Sequence, residues 1–287
     1  MTKLSPVAAA SEGFRLIRRE PGAFLAWTGL WLAWFVVTAV ALASGRKVVV
    51  ATAVEHRTLW QIVSHFGAFT ALLVGVFLLL WGTTAVAVFR AVLQPGERRF
   101  FYLRLGRDEL RMALISLALF ILAPVFGGAP TFLLIALFSP LMAAIPAAAR
   151  DIAEVGALIT VAVEVWLWVR LSLIAVETFD ERRFHLSAYW PLTRGRFWYL
   201  LGCYVVFFLI VFFLTALFLS LTDLIVQAGF HSGIGKGDLW RRGGILGLAL
   251  IVAALTAAWL MVCQTLFCAC QACAYAVIAG SRAEANT

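Results

Sequence analysis

Six long apolar runs limit the possible folds of this chain more strongly than any other feature. They lie at about Gly22–Ser44, Phe66–Phe89, Met112–Phe138, Val155–Val176, Phe197–Leu219 and Gly243–Ala279. A helix needs about 20 apolar residues to cross a hydrocarbon core of roughly 30 Å. Only helices and closed barrels satisfy the backbone there, and runs of this length exclude barrel strands. The sequence therefore predicts an all-α, polytopic membrane protein with six transmembrane helices.

The composition agrees with this class and excludes several others. Apolar residues make up 63% of the chain and charged residues only 13%, whereas an average soluble domain carries about 25% charged residues. A soluble globular domain, a disordered chain and a disulfide-bonded scaffold are therefore excluded. The net charge of +8 does not indicate nucleic-acid binding, because cytoplasmic loops of membrane proteins normally carry an excess of Lys and Arg.

The distribution of basic residues predicts the orientation of the chain. Arginines are concentrated before the first run, between the second and third runs, and between the fourth and fifth runs. Because cytoplasmic loops attract positive residues, this pattern places both termini in the cytoplasm. An even number of spans agrees with that placement. We expect a multi-pass protein of the bacterial inner membrane.

A short pattern recurs ahead of three of the apolar runs. Phe14–Arg18, Leu103–Arg107 and Trp190–Arg194 each hold a bulky apolar residue, a Leu two positions later and an Arg two positions after that. Self-similarity at a regular spacing is typical of internal repeats. The pattern predicts a single integral membrane domain, 1–287, made of three units, each an amphipathic helix followed by a transmembrane hairpin. The approximate bounds of the three repeats are 11–92, 98–172 and 185–282.

Each repeat is predicted to begin with an amphipathic segment: Ser11–Glu20, Phe100–Arg111 and Ser187–Trp198. Such helices lie in the membrane interface, with their apolar faces among acyl chains and their arginines near anionic headgroups. We interpret them as collars that anchor the bundle, with lipid sensing or headgroup recruitment as the alternative. The side chains predicted to face headgroups are Arg15, Arg18, Arg104, Arg107, Arg194 and Arg196.

These features together resemble a known family. The bacterial polytopic proteins grouped with the membrane domain of glycerophosphoryl diester phosphodiesterases have six spans, and each odd span follows a short basic amphipathic helix. The similarity rests on Phe14–Pro21, on Phe89 through Glu109 and on Trp168 through Trp198. It implies an integral inner-membrane protein whose biochemical role is undetermined. The catalytic part of the phosphodiesterases is a separate metal-binding barrel, for which this chain has no room, so their activity is not implied.

The sequence carries no recognisable catalytic or metal-binding motif. It has no nucleophile elbow, P-loop or metalloprotease helix. The glycine-rich stretch Gly233–Gly237 lacks a following Ser or Thr and is interpreted as a loop turn. His56, His65 and His231 are too scattered for zinc, which needs ligands that converge at close spacing. We expect no metal, no cofactor and no enzymatic activity.

The last apolar run carries a polar stripe. Gln264, Cys268, Gln271 and Tyr275 are spaced so that they share one face of a helix. Amides inside a bilayer need hydrogen-bond partners, so this face is predicted to point into the bundle. Interhelical hydrogen bonding is the favoured explanation, and a polar pathway through the membrane is the alternative. The cysteines of this run are interpreted as small packing residues.

Glu164 is the strongest candidate for a functional side chain. It lies in the middle of the fourth apolar run, where an ionisable group is costly and is a functional hypothesis by default. Thr160 lies one turn away on the same face, and Gln264 or Gln271 from the last run could pair with the carboxyl group. A carboxyl group held by hydrogen bonds for structural reasons is the alternative interpretation.

Three classes of function remain open. The leading hypothesis is a non-enzymatic protein that interacts with membrane lipid, including anionic headgroups, or with another membrane protein or a second copy of itself. The second is a small transporter or channel with a midplane site around Glu164, next to a third span broken by Pro124 and Pro130. The third is a membrane-embedded enzyme, for which the candidate polar cluster is Arg90, Asp108, Glu109 and Arg170.

Overall fold

A computed structural model describes residues 5–54, 59–96, 99–104, 106–118, 121, 136, 139, 149–182, 193–231 and 238–285. In this part of the chain every regular element is helical, which confirms the all-α prediction. The α-helices are α1 (Pro6–Arg19), α2 (Pro21–Val54), α3 (Leu59–Leu93), α4 (residues 107–118), α5 (Ala149–Leu171), α6 (Ile174–Glu181), α7 (Phe197–His231) and α8 (Asp238–Ala285).

Several helical stretches are long and apolar enough to cross a membrane. Among the described residues they are Pro21–Ala41, Thr70–Leu93, Glu154–Glu181, Phe197–Ala228 and Leu246–Gly280. They correspond to the first, second, fourth, fifth and sixth predicted spans, so the chain is a multi-pass membrane protein. The third predicted span, Met112–Phe138, begins within α4, and most of its remaining residues lie outside the described part. The count of six spans and the threefold repeat therefore stay predictions.

The helix α8 is the element against which much of the bundle packs. It contacts α1, α2, α3 and α7. Its buried face is rich in small residues, which let helix backbones approach closely in membranes; the fully buried alanines are Ala257, Ala269 and Ala272. The approach of α1 is so close that a Cβ atom on Gly13 would come within 2.6 Å of Leu266 Cα. Glycine at position 13 is therefore what allows α1 to lie against α8.

The first predicted amphipathic segment lies in α1. This helix begins at Pro6, and the Ser5 side chain caps it by accepting a 3.4 Å hydrogen bond from Ala8 N. Its buried residues are Ala9, Ala10, Gly13 and Leu16. The helix packs against α7 and α8. The segment is helical as predicted, but its buried face contacts protein, which differs from the predicted placement among acyl chains.

The second predicted amphipathic segment is not a continuous helix, so that prediction is wrong. Phe100, Phe101 and Tyr102 have φ angles of 51°, 55° and 64°, a left-handed conformation that costs about 1–2 kcal/mol per non-glycine residue. Trp27 Nε1 donates a 2.9 Å hydrogen bond to Phe101 O. Arg90 Nη1 donates a 3.2 Å bond to Tyr102 O. These tertiary bonds hold a tight turn, and α4 begins only after it.

The third predicted amphipathic segment falls partly outside the described residues, which resume at position 193. Thr193 is fully buried, and its side-chain oxygen accepts a 3.0 Å hydrogen bond from Arg170 Nη1. A turn with Gly195 at φ 78° follows, and α7 begins at Phe197. The described end of this segment is therefore a turn that is anchored to the end of α5.

Candidate functional site

A cavity of about 710 Å³ lies between α3, α4, α5, α6, α7 and α8. Its size falls within the range of roughly 300–1,000 Å³ that is typical of ligand pockets. Among the described helices the backbone of α5 lies closest to that of α7. The cavity is the space that remains between α5 and the helices α3 and α8.

Aromatic side chains form much of the cavity wall. The ring of Trp168, on α5, lies 5.0 Å from that of Tyr204 and 5.7 Å from that of Phe208, both on α7. It also lies 5.7 Å from the ring of Phe267 on α8. These contacts of bulky rings join α5 to the bundle while holding it at a distance. The resulting wall is suited to hydrocarbon and to flat apolar groups.

A few polar side chains interrupt this apolar wall. The lining residues that carry a carboxyl, hydroxyl or amide group are Ser116, Glu164, Ser172, Tyr204 and Gln271. Glu164 is half-buried and projects from α5. The Tyr204 hydroxyl is buried and makes no hydrogen bond within the described part of the chain. The Glu164 carboxyl group is therefore available to a molecule that enters the cavity, whereas the Tyr204 hydroxyl lies beneath the surface of the wall.

The polar stripe on α8 points into the bundle, as predicted, and its four side chains are at most 6% exposed. Gln264 lies fully buried between α8 and α3. Its Nε2 atom donates a 2.8 Å hydrogen bond to Trp81 O, and its Oε1 atom accepts one of 2.9 Å from Thr84 Oγ1. Gln264 therefore joins two helices and uses both ends of its amide to do so.

The other two polar members of the stripe join α8 to the region where α5 ends and α6 begins. Gln271 Nε2 donates a 2.8 Å hydrogen bond to the backbone oxygen of Ser172, which lies in the break between those helices. The Tyr275 hydroxyl donates a 2.9 Å bond to Asp180 Oδ2 on α6. Interhelical hydrogen bonding thus accounts for these side chains without a polar pathway.

The predicted neighbours of Glu164 are engaged elsewhere. The Thr160 hydroxyl is buried and donates a 3.0 Å hydrogen bond to Gly156 O within α5. Of the two glutamines that could pair with Glu164, Gln264 is bonded to α3, and Gln271 lies in the same cavity wall with its amide nitrogen bonded to Ser172 O.

The arginines predicted to face headgroups differ in exposure. Arg15, Arg18, Arg104, Arg107 and Arg194 are exposed. Arg15 pairs at 3.4 Å with Glu12 on its own helix. Arg196 is half-buried and donates a 2.9 Å hydrogen bond to Ile278 O near the end of α8. In the structure Arg196 donates a hydrogen bond to a backbone carbonyl of α8. The sequence pattern alone could not distinguish this role from contact with a lipid headgroup.

The exposed arginines cluster at one end of the bundle. Arg19 at the end of α1 donates a 2.7 Å hydrogen bond to Ala91 O at the end of α3, and Arg196 joins the start of α7 to the end of α8. The ion pair of Arg90 with Glu109 places the start of α4 beside the end of α3. The starts of α4 and α7 therefore lie at the same end of the protein as α1.

That ion pair is buried. Arg90 is 5% exposed and Glu109 is 2% exposed, and Asp108 Oδ2 lies 3.7 Å from Arg90 Nη2. The Arg90 guanidinium also lies 5.8 Å from the centre of the Phe179 ring. With its additional bond to Tyr102 O, Arg90 ties the end of α3 to the turn and to α4. This is a structural cap of the bundle.

Metal-ligating side chains do not converge in the described part of the chain: no group of three His, Cys, Asp or Glu there could hold a metal ion. The cysteines are free thiols, and Cys268 lines the cavity. His56 and Gly233–Gly237 lie outside the described residues.

Sequence reasoning found Glu164 and Gln271 but missed Trp168 and Tyr204 as cavity residues. Aromatic side chains occur along every apolar run, so only the packing reveals which of them face an internal space.

The sequence matches no family model, and no curated protein or solved structure is significantly similar to it.

Proposed function

We propose that the chain is a non-enzymatic integral membrane protein that binds a lipid-like amphiphile in the cavity between α5 and α8. The observation that carries this proposal is the cavity itself: about 710 Å³ of mostly apolar, aromatic-walled space, among helices that are long and apolar enough to cross a membrane. A hydrocarbon chain already lies in apolar surroundings in the bilayer, so apolar walls alone give it little preference. Fit to the aromatic wall and contact with the few polar groups supply the selectivity.

The arginine-rich end of the bundle is the end that we propose faces the cytoplasm, in a bacterial inner membrane. Exposed arginines beside apolar helix ends favour contact with anionic headgroups. Those at this end are Arg15, Arg18, Arg104, Arg107 and Arg194.

A variant that fills the cavity tests the proposal. Ala175 lines the cavity from α6, and Ala175→Phe places a ring in the space where the ligand would lie. Ala162 is exposed on α5 and is not among the lining residues, so Ala162→Phe adds the same ring to the outer surface. We expect Ala175→Phe to weaken amphiphile binding about tenfold, equivalent to about 1.4 kcal/mol, and Ala162→Phe to leave it unchanged.

The measurement is native mass spectrometry of protein purified in a non-ionic detergent and titrated with single-chain amphiphiles, dodecanol and dodecylammonium. One amphiphile should stay bound to the wild type and to Ala162→Phe after the detergent is removed, and it should be lost from Ala175→Phe at the same amphiphile concentration. Equal amphiphile retention by all three proteins, with unchanged melting temperatures, would show that the cavity is not the binding site.

A small transporter or channel is the second candidate, and the position of Glu164 in the cavity wall favours it. The engagement of Gln264 and Gln271 in helix contacts argues against a continuous polar route. Solute or ion flux in proteoliposomes that depends on Glu164 and falls in Glu164→Gln would support transport. Flux equal to that of protein-free vesicles would remove this candidate.

A further inference from the structure

We infer that the cavity selects an amphiphile with an ammonium headgroup, which the Glu164 carboxylate and the neighbouring aromatic rings hold together. This inference rests on the proposed function and names the chemical class of the ligand. It comes from three features of the cavity: the charge of its lining, the arrangement of its rings, and the depth of its carboxylate in the span.

The charge of the lining is the first feature. Among the described residues that line the cavity Glu164 is acidic, and none is a lysine or an arginine. A carboxylate surrounded by apolar side chains is unfavourable unless a cation compensates it. Because the described lining supplies no cation, the complementary ligand is one that brings a positive charge, and an anionic headgroup would be repelled.

The rings around the carboxylate are the second feature. Trp168 follows Glu164 by four residues on α5, so the two side chains lie on the same helix face. The Tyr204 ring lies 5.0 Å from that of Trp168. Aromatic faces attract ammonium groups, most strongly where water is excluded.

The depth of Glu164 is the third feature. It lies ten residues into the candidate span Glu154–Glu181, which corresponds to about 15 Å of helix rise, or roughly half of a hydrocarbon core. An ammonium group bound there has left the interface, where ordinary phospholipid headgroups lie. The site therefore fits a single-headed cationic amphiphile that enters the cavity and does not fit a phospholipid that stays at the membrane surface.

The test compares three probes by native mass spectrometry in a non-ionic detergent. Dodecylammonium carries both the charge and the chain, dodecanol carries the chain alone, and ethylammonium carries essentially the charge alone. The proteins are the wild type, Glu164→Gln, the cavity-filling variant Ala175→Phe, and Glu154→Gln as the matched control, since Glu154 is exposed on the same helix and is not among the described lining residues. Melting temperatures in the same detergent verify that all four proteins are folded.

We expect the wild type and Glu154→Gln to bind dodecylammonium about tenfold more tightly than dodecanol. Glu164→Gln should bind the two dodecyl probes equally. If Glu164→Gln binds dodecylammonium as tightly as the wild type does, the inference is overturned. The proposed function would still be supported in that case if Ala175→Phe abolishes the binding of either dodecyl probe. If ethylammonium alone binds as tightly as dodecylammonium and needs Glu164, the apolar wall contributes nothing and the proposed function fails.

Discussion

The packed side of the molecule around α8 and the open side around α5 use polar side chains in different ways. On the packed side Gln264 and Tyr275 each have a hydrogen-bond partner on another helix. On the open side the Glu164 side chain is half-buried in the cavity wall, and the Tyr204 hydroxyl is buried without a hydrogen bond within the described residues. Polar side chains therefore join helices in one region, and in the other Glu164 faces a space that a ligand can enter.

The difference comes from the size of the side chains between the helices. Gly13 and the buried alanines bring α1 and the other partners of α8 close enough for direct backbone and amide contacts. Trp168 and Phe208 keep α5 farther from its neighbours through ring contacts. Small residues bring polar groups into reach of partners, and large rings leave space between them.

The largest expected effect lies at the Arg90–Glu109 ion pair, which belongs to the packed side. Arg90→Met removes the cation and leaves the Glu109 carboxylate buried without it, so we expect the free energy of unfolding to fall by about 3–5 kcal/mol. Titration with SDS from a non-ionic detergent, followed by circular dichroism, measures this change.

Arg111→Met is the matched control for that prediction. Arg111 pairs with Asp108 at 3.3 Å, but the side chains are 41% and 27% exposed. Exposed pairs of this kind contribute about 0–1 kcal/mol, so the control should be nearly as stable as the wild type. Equal losses in the two variants would mean that the burial of Arg90 has no energetic consequence.

A smaller difference in the free energy of unfolding is expected between one variant on the packed side and one on the open side. Gln264→Leu removes an amide that bonds to Trp81 and Thr84, and interhelical hydrogen bonds in membranes contribute about 0.6–2 kcal/mol. Tyr204→Phe removes a hydroxyl that makes no hydrogen bond within the described residues, so its stability should be nearly unchanged. The same SDS titration compares them, and a Tyr204→Phe loss as large as that of Gln264→Leu would abolish the contrast between the two sides.

Much of the fold could be predicted from hydropathy alone. The lengths of the apolar runs gave the candidate spans, because a bilayer fixes how long such a run must be. The turn at Phe100–Tyr102 could not be predicted, since it depends on donors from Trp27 and Arg90 that are distant in sequence. A strained backbone of this kind is specified by tertiary contacts and leaves no local signal.

The candidate site could be predicted only in part. Glu164 stands out in the sequence because a charge within an apolar run is rare. The inward orientation of Gln264 and Gln271 follows from helical periodicity. Their partners depend on how far apart the helices stand, and that distance is set by side-chain packing. For the same reason the cavity and its Trp168 and Tyr204 wall had no signature in the sequence.

The position of α8 in the chain has a consequence for biogenesis. This helix follows α1, α2, α3 and α7 during synthesis, yet it provides contacts to all of them. The donors of the Phe101 and Tyr102 turn, by contrast, leave the ribosome before the turn itself does. The hairpin of α2 and α3 can therefore close as it is inserted, whereas the bundle as a whole is completed only when α8 arrives.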